Sequence, residues 1–346
     1  MAKLESRHSR ERVSSAQTAG MGRPADNDGR AAPSPWSMPL GAWKAVVIRT
    51  WREATSDNVG LIAAGVAFYI FLSLVPLLGA IVLTYGLIAD PATVVGNMGT
   101  LTAALPDDAA MLIGEQLMNV VQTSGDKKGI GLAVALGIAL FGARNAAGAL
   151  VSALNIAYEE EERRGFLKVN LLALAITGAA VVVMAIAASA VASMGHLEEV
   201  LPATNPVLVG GAKALSYLLL ALVAAAAAAT LYRYGPARDT ARWIWLTPGS
   251  LLFALAWVML SLGFGFYVAR FGNYGATYGS LSAVVVLLTW TYLSSYALLF
   301  GAELNSELEH QTARDTTAGP EQPLGERGAW AADHVAAASD GAGAAR

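Results

Sequence analysis

The sequence has 346 residues, of which 55% are hydrophobic and only 14% charged, against about 25% charged in soluble domains. That balance points away from a water-soluble domain and toward lipid. A net charge of −3 leaves no general basic surface for nucleic acid, and the absence of cysteine excludes disulfides, thiolate zinc sites and cysteine nucleophiles.

Residues 1–40 are rich in Arg, Ser, Gly, Pro and Asp. Such a segment buries too little apolar surface to offset its ordering entropy, so it reads as a disordered cytoplasmic tail. The first long apolar run begins near Val59, too late for a cleaved secretory signal. Before it, Trp43, Val46, Val47 and Trp51 can share one helical face ringed by Lys44, Arg49 and Arg52. That pattern suits a helix lying along the headgroups.

Six apolar runs follow, over 59–89, 129–158, 169–195, 214–232, 243–269 and 271–302, and only Arg144 interrupts them. A helix needs about 20 apolar residues to span the hydrocarbon, so each run holds one crossing. The expected fold is all-α: a polytopic bundle of about six transmembrane helices within a domain at 41–310, with spans near 59–89, 130–157, 169–195, 214–234, 244–268 and 279–302. The connection at about 90–128 carries Asp107 and Asp108 as helix caps. Met111, Leu112, Leu117, Val120 and Val121 follow at helical spacing, which predicts an amphipathic outer helix. Residues 311–346 end in low-complexity sequence and read as a second disordered tail.

Lys and Arg set the orientation. With the N-terminus inside, the inner segments hold Lys44, Arg49, Arg52, Arg163, Arg164, Lys168, Arg233, Arg238, Arg242 and Arg314. The outer ones hold only Lys127, Lys128, Lys213 and Arg270. Both termini are therefore expected in the cytoplasm of a multi-pass protein of the bacterial inner membrane.

Arg144 is the leading functional candidate. It falls near the middle of the second run, where a charge costs at least about 2.5 kcal/mol on insertion scales. None of the six runs contains an Asp or Glu to pair with it. Either polar groups of neighbouring helices satisfy it, or it faces the phosphate or carboxylate of a bound amphiphile. Asn145 and Asn155 share its span and, with Ser73, Tyr274 and Tyr278, complete the candidate binding set. Pro76 should kink the first span, as a packing kink or a hinge, with Ser73 or a water serving the freed carbonyl. The second span is rich in small residues and should sit centrally. Glu303 and Asn305 close the last span, and Glu303 is expected to pair with an inner-loop arginine such as Arg242. Histidines 8, 196, 310 and 334 are scattered, and no HExxH, GxSxG or P-loop pattern occurs, so no catalytic residue, metal or cofactor is expected.

Four stretches carry a family resemblance: AAGVAFYIFLSLVPLL; GARNAAGALVSALNIAYEEEERRGFLK; LYRYGPARDTARWIWLTPGSLLFALAW; and YGSLSAVVVLLTWTYLSSYALLFGAELN. Their order and spacing over roughly 43–309 resemble the YihY/virulence factor BrkB family, including Pro236, Pro248, Gly249, Tyr278, Gly279, Trp290, Gly301, Ala302, Glu303 and Asn305. Tyr234-Gly235 departs from the family's usual residues before Pro236. The resemblance implies a membrane protein whose members have been called ribonuclease BN, a label with no matching nuclease site here. Three functions are expected in descending order. The first is transport or flipping of an anionic amphiphile or envelope lipid. The second is a scaffold or regulator of envelope assembly, and the third a membrane enzyme. Membrane lipids are the expected partners; the sequence neither requires nor excludes a homo-oligomer.

Overall fold

The computed structural model describes residues 28–88, 125–180, 182–183, 206–271 and 281–336. Among these the chain is helical, without strands beyond one isolated bridge between Ala241 and Thr317. The helices are α1 (Leu40–Ser56), α2 (Val59–Ile88), α3 (Gly125–Ala157), α4 (Phe166–Ala180), α5 (Pro206–Tyr234), α6 (Trp243–Phe271), α7 (Leu281–Gln311) and the short α8 (Trp330–Asp333). Three stretches are long and apolar enough to cross a membrane: Gly210–Tyr234, Trp243–Tyr267 and Val284–Gln311. The bent pair α1 and α2 makes a fourth. Their outer faces carry exposed Leu218, Leu222, Leu255, Met259, Leu262 and Phe266, an apolar belt suited to lipid. The expected outer helix, and Tyr274 and Tyr278, lie outside the described residues.

The chain turns by 62° between α1 and α2. Asn58 makes the turn with a φ of +55°, a left-handed conformation that Asn tolerates. Its carbonyl then accepts from two amides in the first turn of α2, Leu61 N at 2.8 Å and Ile62 N at 3.1 Å. The buried stripe of α1 is Ala42, Val46, Arg49, Thr50 and Ala54, packed toward α7, whereas Val47 and Trp51 stay exposed. The aromatic face expected from sequence therefore divides between core and surroundings.

Among the described residues, α7 is the central helix, in contact with α1, α2, α3, α6 and α8, while α3 pairs mainly with α2. The expectation of a central second span is thus corrected. Its small residues do permit one close approach: a Cβ on Gly142 would sit 3.0 Å from Ser73 Cα. A tighter contact joins α6 to α7. A Cβ on Gly301 would lie 2.6 Å from the Gly249 carbonyl oxygen and 2.6 Å from Tyr232 Oη. Pro248, which lacks an N–H, sits in the first turns of α6. Thr247 Oγ1 donates to the Ile244 carbonyl that Pro248 leaves unserved, at 2.8 Å. Buried Asn305 accepts from Gly249 N at 2.8 Å and donates to the Leu246 carbonyl at 3.2 Å. Asn305→Leu keeps the volume but removes both bonds. It should destabilise the protein by about 1–3 kcal/mol, read as a lower thermal midpoint in detergent.

Both expected tails are partly built into the fold. Thr312 Oγ1 donates to Ala32 O at 3.0 Å, and Ala313 N donates to Arg30 O at 2.9 Å. Arg242 N donates to Thr316 O, and Ala318 N to Thr240 O. Buried Arg327 donates to the carbonyls of Ala313, Arg314 and Ala332 at 2.6–3.1 Å. These segments, 28–39 and 312–336, are corrected from disordered to packed. Hydrogen bonds from backbone and polar side chains hold them, together with burial of small or scattered apolar residues such as Ala32, Met38, Ala331 and Ala332, so their composition concealed the order.

Candidate functional site

Arg144 lines an open cavity of about 590 Å³ between α2, α3 and α4. Ile62, Val66, Ala149, Ala153 and Ala173 form much of its apolar wall, and Tyr69, Asn145, Ser152 and Asn170 supply polar atoms. Arg144 Nε donates to Asn170 Oδ1, and Nη1 donates to Asn145 Oδ1 at 3.3 Å. The guanidinium also lies 5.7 Å from the centre of the Phe166 ring. A guanidinium has five N–H donors, so three have no protein partner among the described residues. No salt bridge reaches it within those residues.

Phe166 opens α4 and Asn170 lies one turn further on, so Arg144 is level with the first turn of α4.

The other predicted residues separate. Asn145 joins Arg144. Ser73 Oγ donates to Ile70 O at 2.7 Å, so it serves neither the cavity nor the Leu72 carbonyl that Pro76 leaves free. The backbone of α2 remains helical through Pro76. Asn155 is buried and ties two loops together, donating to Glu162 Oε2 at 3.0 Å and accepting from Ala237 N at 2.7 Å. It faces a second cavity, of about 990 Å³, at the end of the bundle that carries the arginine-bearing segments 163–168 and 233–242, the basic end. The expected Glu303–Arg242 pair does not form. Arg242 Nε is 2.9 Å from the Thr317 carbonyl, because the returning 312–318 segment covers it. Glu303 is buried and makes no ion pair among the described residues.

Sequence reasoning missed the charge organisation of the basic end. Arg49 Nε meets Glu307 Oε2 at 2.5 Å, and its Nη2 meets Gln311 Oε1 at 2.6 Å. Arg238 and Glu309 form a fully buried pair at 2.7 Å, with Arg238 4.5 Å from the Tyr158 ring centre and Thr316 Oγ1 2.6 Å from Glu309 Oε2. Glu53, Asp57 and Glu159 come together with their carboxylate oxygens mutually within 4.8 Å. Burial, then repulsion from neighbouring acids, raises the carboxyls of Glu53 and Glu159 above their ordinary range, and burial raises Asp57. Spacing alone did not signal this set, because Glu159 lies beyond α2 and α3 in the chain.

Glu162 behaves oppositely. Hydrogen bonds from Arg164, at 2.7 and 2.8 Å, hold its carboxyl down at about 2. A depressed carboxylate stabilises the fold above its ordinary value near 4.5, and that contribution fades as pH falls toward 2. The group is largely solvated, so the effect should stay within about 1 kcal/mol. The thermal midpoints of wild type and Glu162→Gln should differ at pH 6 and converge progressively as pH falls from 4.5 toward 2.

The profile of the family described as Virulence factor BrkB matches residues 50–325. The ribonuclease-like protein YfkH of Bacillus subtilis is 30% identical over 250 residues, covering 71% of this chain and 88% of its own. A UPF0761 membrane protein of Rhodospirillum centenum is 34% identical over 108 residues, 31% of this chain and 24% of its own. One from Tolumonas auensis is 39% identical over 67 residues, 19% and 22% of the two chains. No solved structure matches the chain.

Proposed function

This chain is a member of the Virulence factor BrkB family of membrane proteins, and on that premise we propose that it moves an anionic amphiphile between leaflets. It does so as a non-enzymatic, six-span protein of the bacterial inner membrane with both termini cytoplasmic. The carrying observation is the Arg144 guanidinium. It has three unserved donors, borders an apolar-walled cavity and has no carboxylate partner among the described residues. Such a group offers charge-assisted hydrogen bonds to a phosphate or carboxylate, while Ile62, Val66 and Ala173 accept the adjoining hydrocarbon. Asn170 and Asn145 fix the guanidinium plane before the ligand arrives, which lowers the ordering cost of binding.

On this reading the guanidinium, level with the first turn of α4, sits near the inner headgroups, where a lipid phosphate is within reach without crossing hydrocarbon. Pro76, above Ser73 on α2, is then the proposed hinge that lets the α2–α3 contact open. Mass spectrometry of lipids copurified with wild type and Arg144→Ala checks the ligand. Wild type should retain an anionic lipid at a level at least tenfold above the variant, since a charge-assisted contact contributes about 1.5–3 kcal/mol. Equal retention by a folded variant contradicts the reading. Clearance of RNA by the pure protein, lost with no change in lipid, would contradict its non-enzymatic part.

A further inference from the structure

We infer that the Arg144 cavity selects a phosphate-bearing lipid whose headgroup carries hydroxyls, as a glycerol or sugar does, over one that carries an amine. The inference rests on the reading of that cavity as an amphiphile site and names the class of headgroup it takes. It starts from what the arginine leaves unused. A guanidinium offers donors only, so amide oxygens beside it must turn toward it. Asn170 and Asn145 both do so, through Oδ1. The Nδ2 of Asn170 is committed as well, donating to the Phe166 carbonyl at 2.7 Å. The other side-chain polar groups on the cavity wall are Asn145 Nδ2 and the hydroxyls of Tyr69 and Ser152.

A helical Ser or Thr commonly returns its proton to a carbonyl one turn back. Ser73, Thr177, Ser216, Thr230, Thr289 and Thr291 all do. Ser152 makes no such bond among the described residues, and neither does Tyr69 Oη. Both hydroxyls are therefore open, as donor and as acceptor, on the wall of one cavity. Ser152 follows Arg144 by two turns of α3, about 12 Å along the axis, with Gly148 midway. A Cβ on Gly148, or on Gly65 of α2, would meet nothing within 4 Å, so neither glycine serves a helix contact. The room at Gly148 lies between the guanidinium and the Ser152 hydroxyl. Ser73, one turn beyond Tyr69, packs on Gly142, so α2 carries Tyr69 alongside the Arg144 stretch of α3. A headgroup must extend beyond its phosphate to reach both Arg144 and Ser152, and neutral hydroxyls meet it there. An amine would fare worse. No Asp or Glu lines the cavity among the described residues, so an ammonium would enter beside Arg144 without a counter-charge. The apolar wall at Ile62, Val66 and Ala173 favours a lipid over a water-soluble polyol phosphate.

The test offers full-length protein, delipidated in detergent, an equal mixture of phosphatidylglycerol, phosphatidylmethanol and phosphatidylserine. Mass spectrometry after repurification measures the lipid retained. All three carry one net negative charge; only the first has free neutral hydroxyls and only the last an amine. Wild type should retain phosphatidylglycerol at least threefold above each of the others, about the effect of one neutral hydrogen bond. Tyr69→Phe combined with Ser152→Ala should bring the ratio of phosphatidylglycerol to phosphatidylmethanol toward one and leave phosphatidylmethanol itself within twofold. Soluble glycerol phosphate in excess should displace no lipid; displacement would assign the site to a water-soluble ligand and overturn the inference. Equal retention of the three lipids by wild type, or preference for phosphatidylserine, with all of them lost in Arg144→Ala, overturns it too and leaves the amphiphile reading standing. So does an unchanged ratio in the folded double variant. Anionic lipid retained undiminished by a folded Arg144→Ala removes the amphiphile reading and this inference with it.

Discussion

Gly301→Ala is expected to destabilise the protein by about 3 kcal/mol or more, and Gly249→Ala by at least as much. The added methyl on Gly301 meets the Gly249 carbonyl oxygen and Tyr232 Oη, each at 2.6 Å. Real Cβ atoms do not approach other atoms so closely. One obstacle is helix backbone in the first turns of α6, and the other is a hydroxyl bonded to the Leu298 carbonyl at 2.7 Å. Neither can step aside, so α6 and α7 must separate. On Gly249 the methyl would strike the Asn305 amide at 2.6 Å and lie closer still to the Gly301 carbonyl. Separation would also stretch the Asn305 bonds that serve the turn around Pro248. Gly263→Ala is the matched control on the same helix. Its Cβ meets nothing within 4 Å, and alanine is the better helix former by about 1 kcal/mol. Thermal unfolding in detergent should show the first two variants far below wild type and the control at or above it.

Glu309→Ala should cost about 3–5 kcal/mol, because it leaves Arg238 charged and buried without its carboxylate. Both side chains are fully inaccessible. Nε and Nη1 of Arg238 already lack hydrogen-bond partners and rely on the Tyr158 ring and the ion pair for compensation. Thr316 Oγ1 would lose its acceptor in the same variant, loosening the segment that returns beneath the bundle. The double variant Arg238→Met/Glu309→Leu should recover most of the loss, since replacing a buried pair with apolar groups of similar volume is often neutral or better. Melting of the single and double variants measures this directly. Equal losses in both would assign the effect to Thr316 rather than to the charge.

Much of the bundle was legible from runs of apolar residues, because a bilayer demands length and hydropathy before anything else. The fold within the described residues contains three such helices and a bent pair that the runs at 59–89, 214–232, 243–269 and 271–302 mark. Arg144 was legible as an unusual charge, but its neighbours on α4, Phe166 and Asn170, were not. The proline and glycines of α6 and the Gly301, Asn305 pair of α7 stood out as motif positions. That they clasp one another required the packed structure. The pairs Arg49–Glu307 and Arg238–Glu309, and the Glu53, Asp57, Glu159 cluster, join residues far apart in the chain, which no local period encodes. The packed terminal segments escaped notice for another reason. They are held by polar side chains serving backbone carbonyls, a use that composition does not distinguish from solvation.

The most direct test of the proposed function is lipid movement in sealed proteoliposomes. Fluorescent phosphatidylglycerol and a zwitterionic analogue would be followed by quenching of the outer leaflet, with wild type and Arg144→Ala reconstituted at equal density. Wild type should move the anionic lipid well above protein-free vesicles, and Arg144→Ala should lower that rate at least tenfold while any zwitterionic leak stays unchanged. Equal rates for wild type and Arg144→Ala, or no movement above protein-free vesicles, would contradict it.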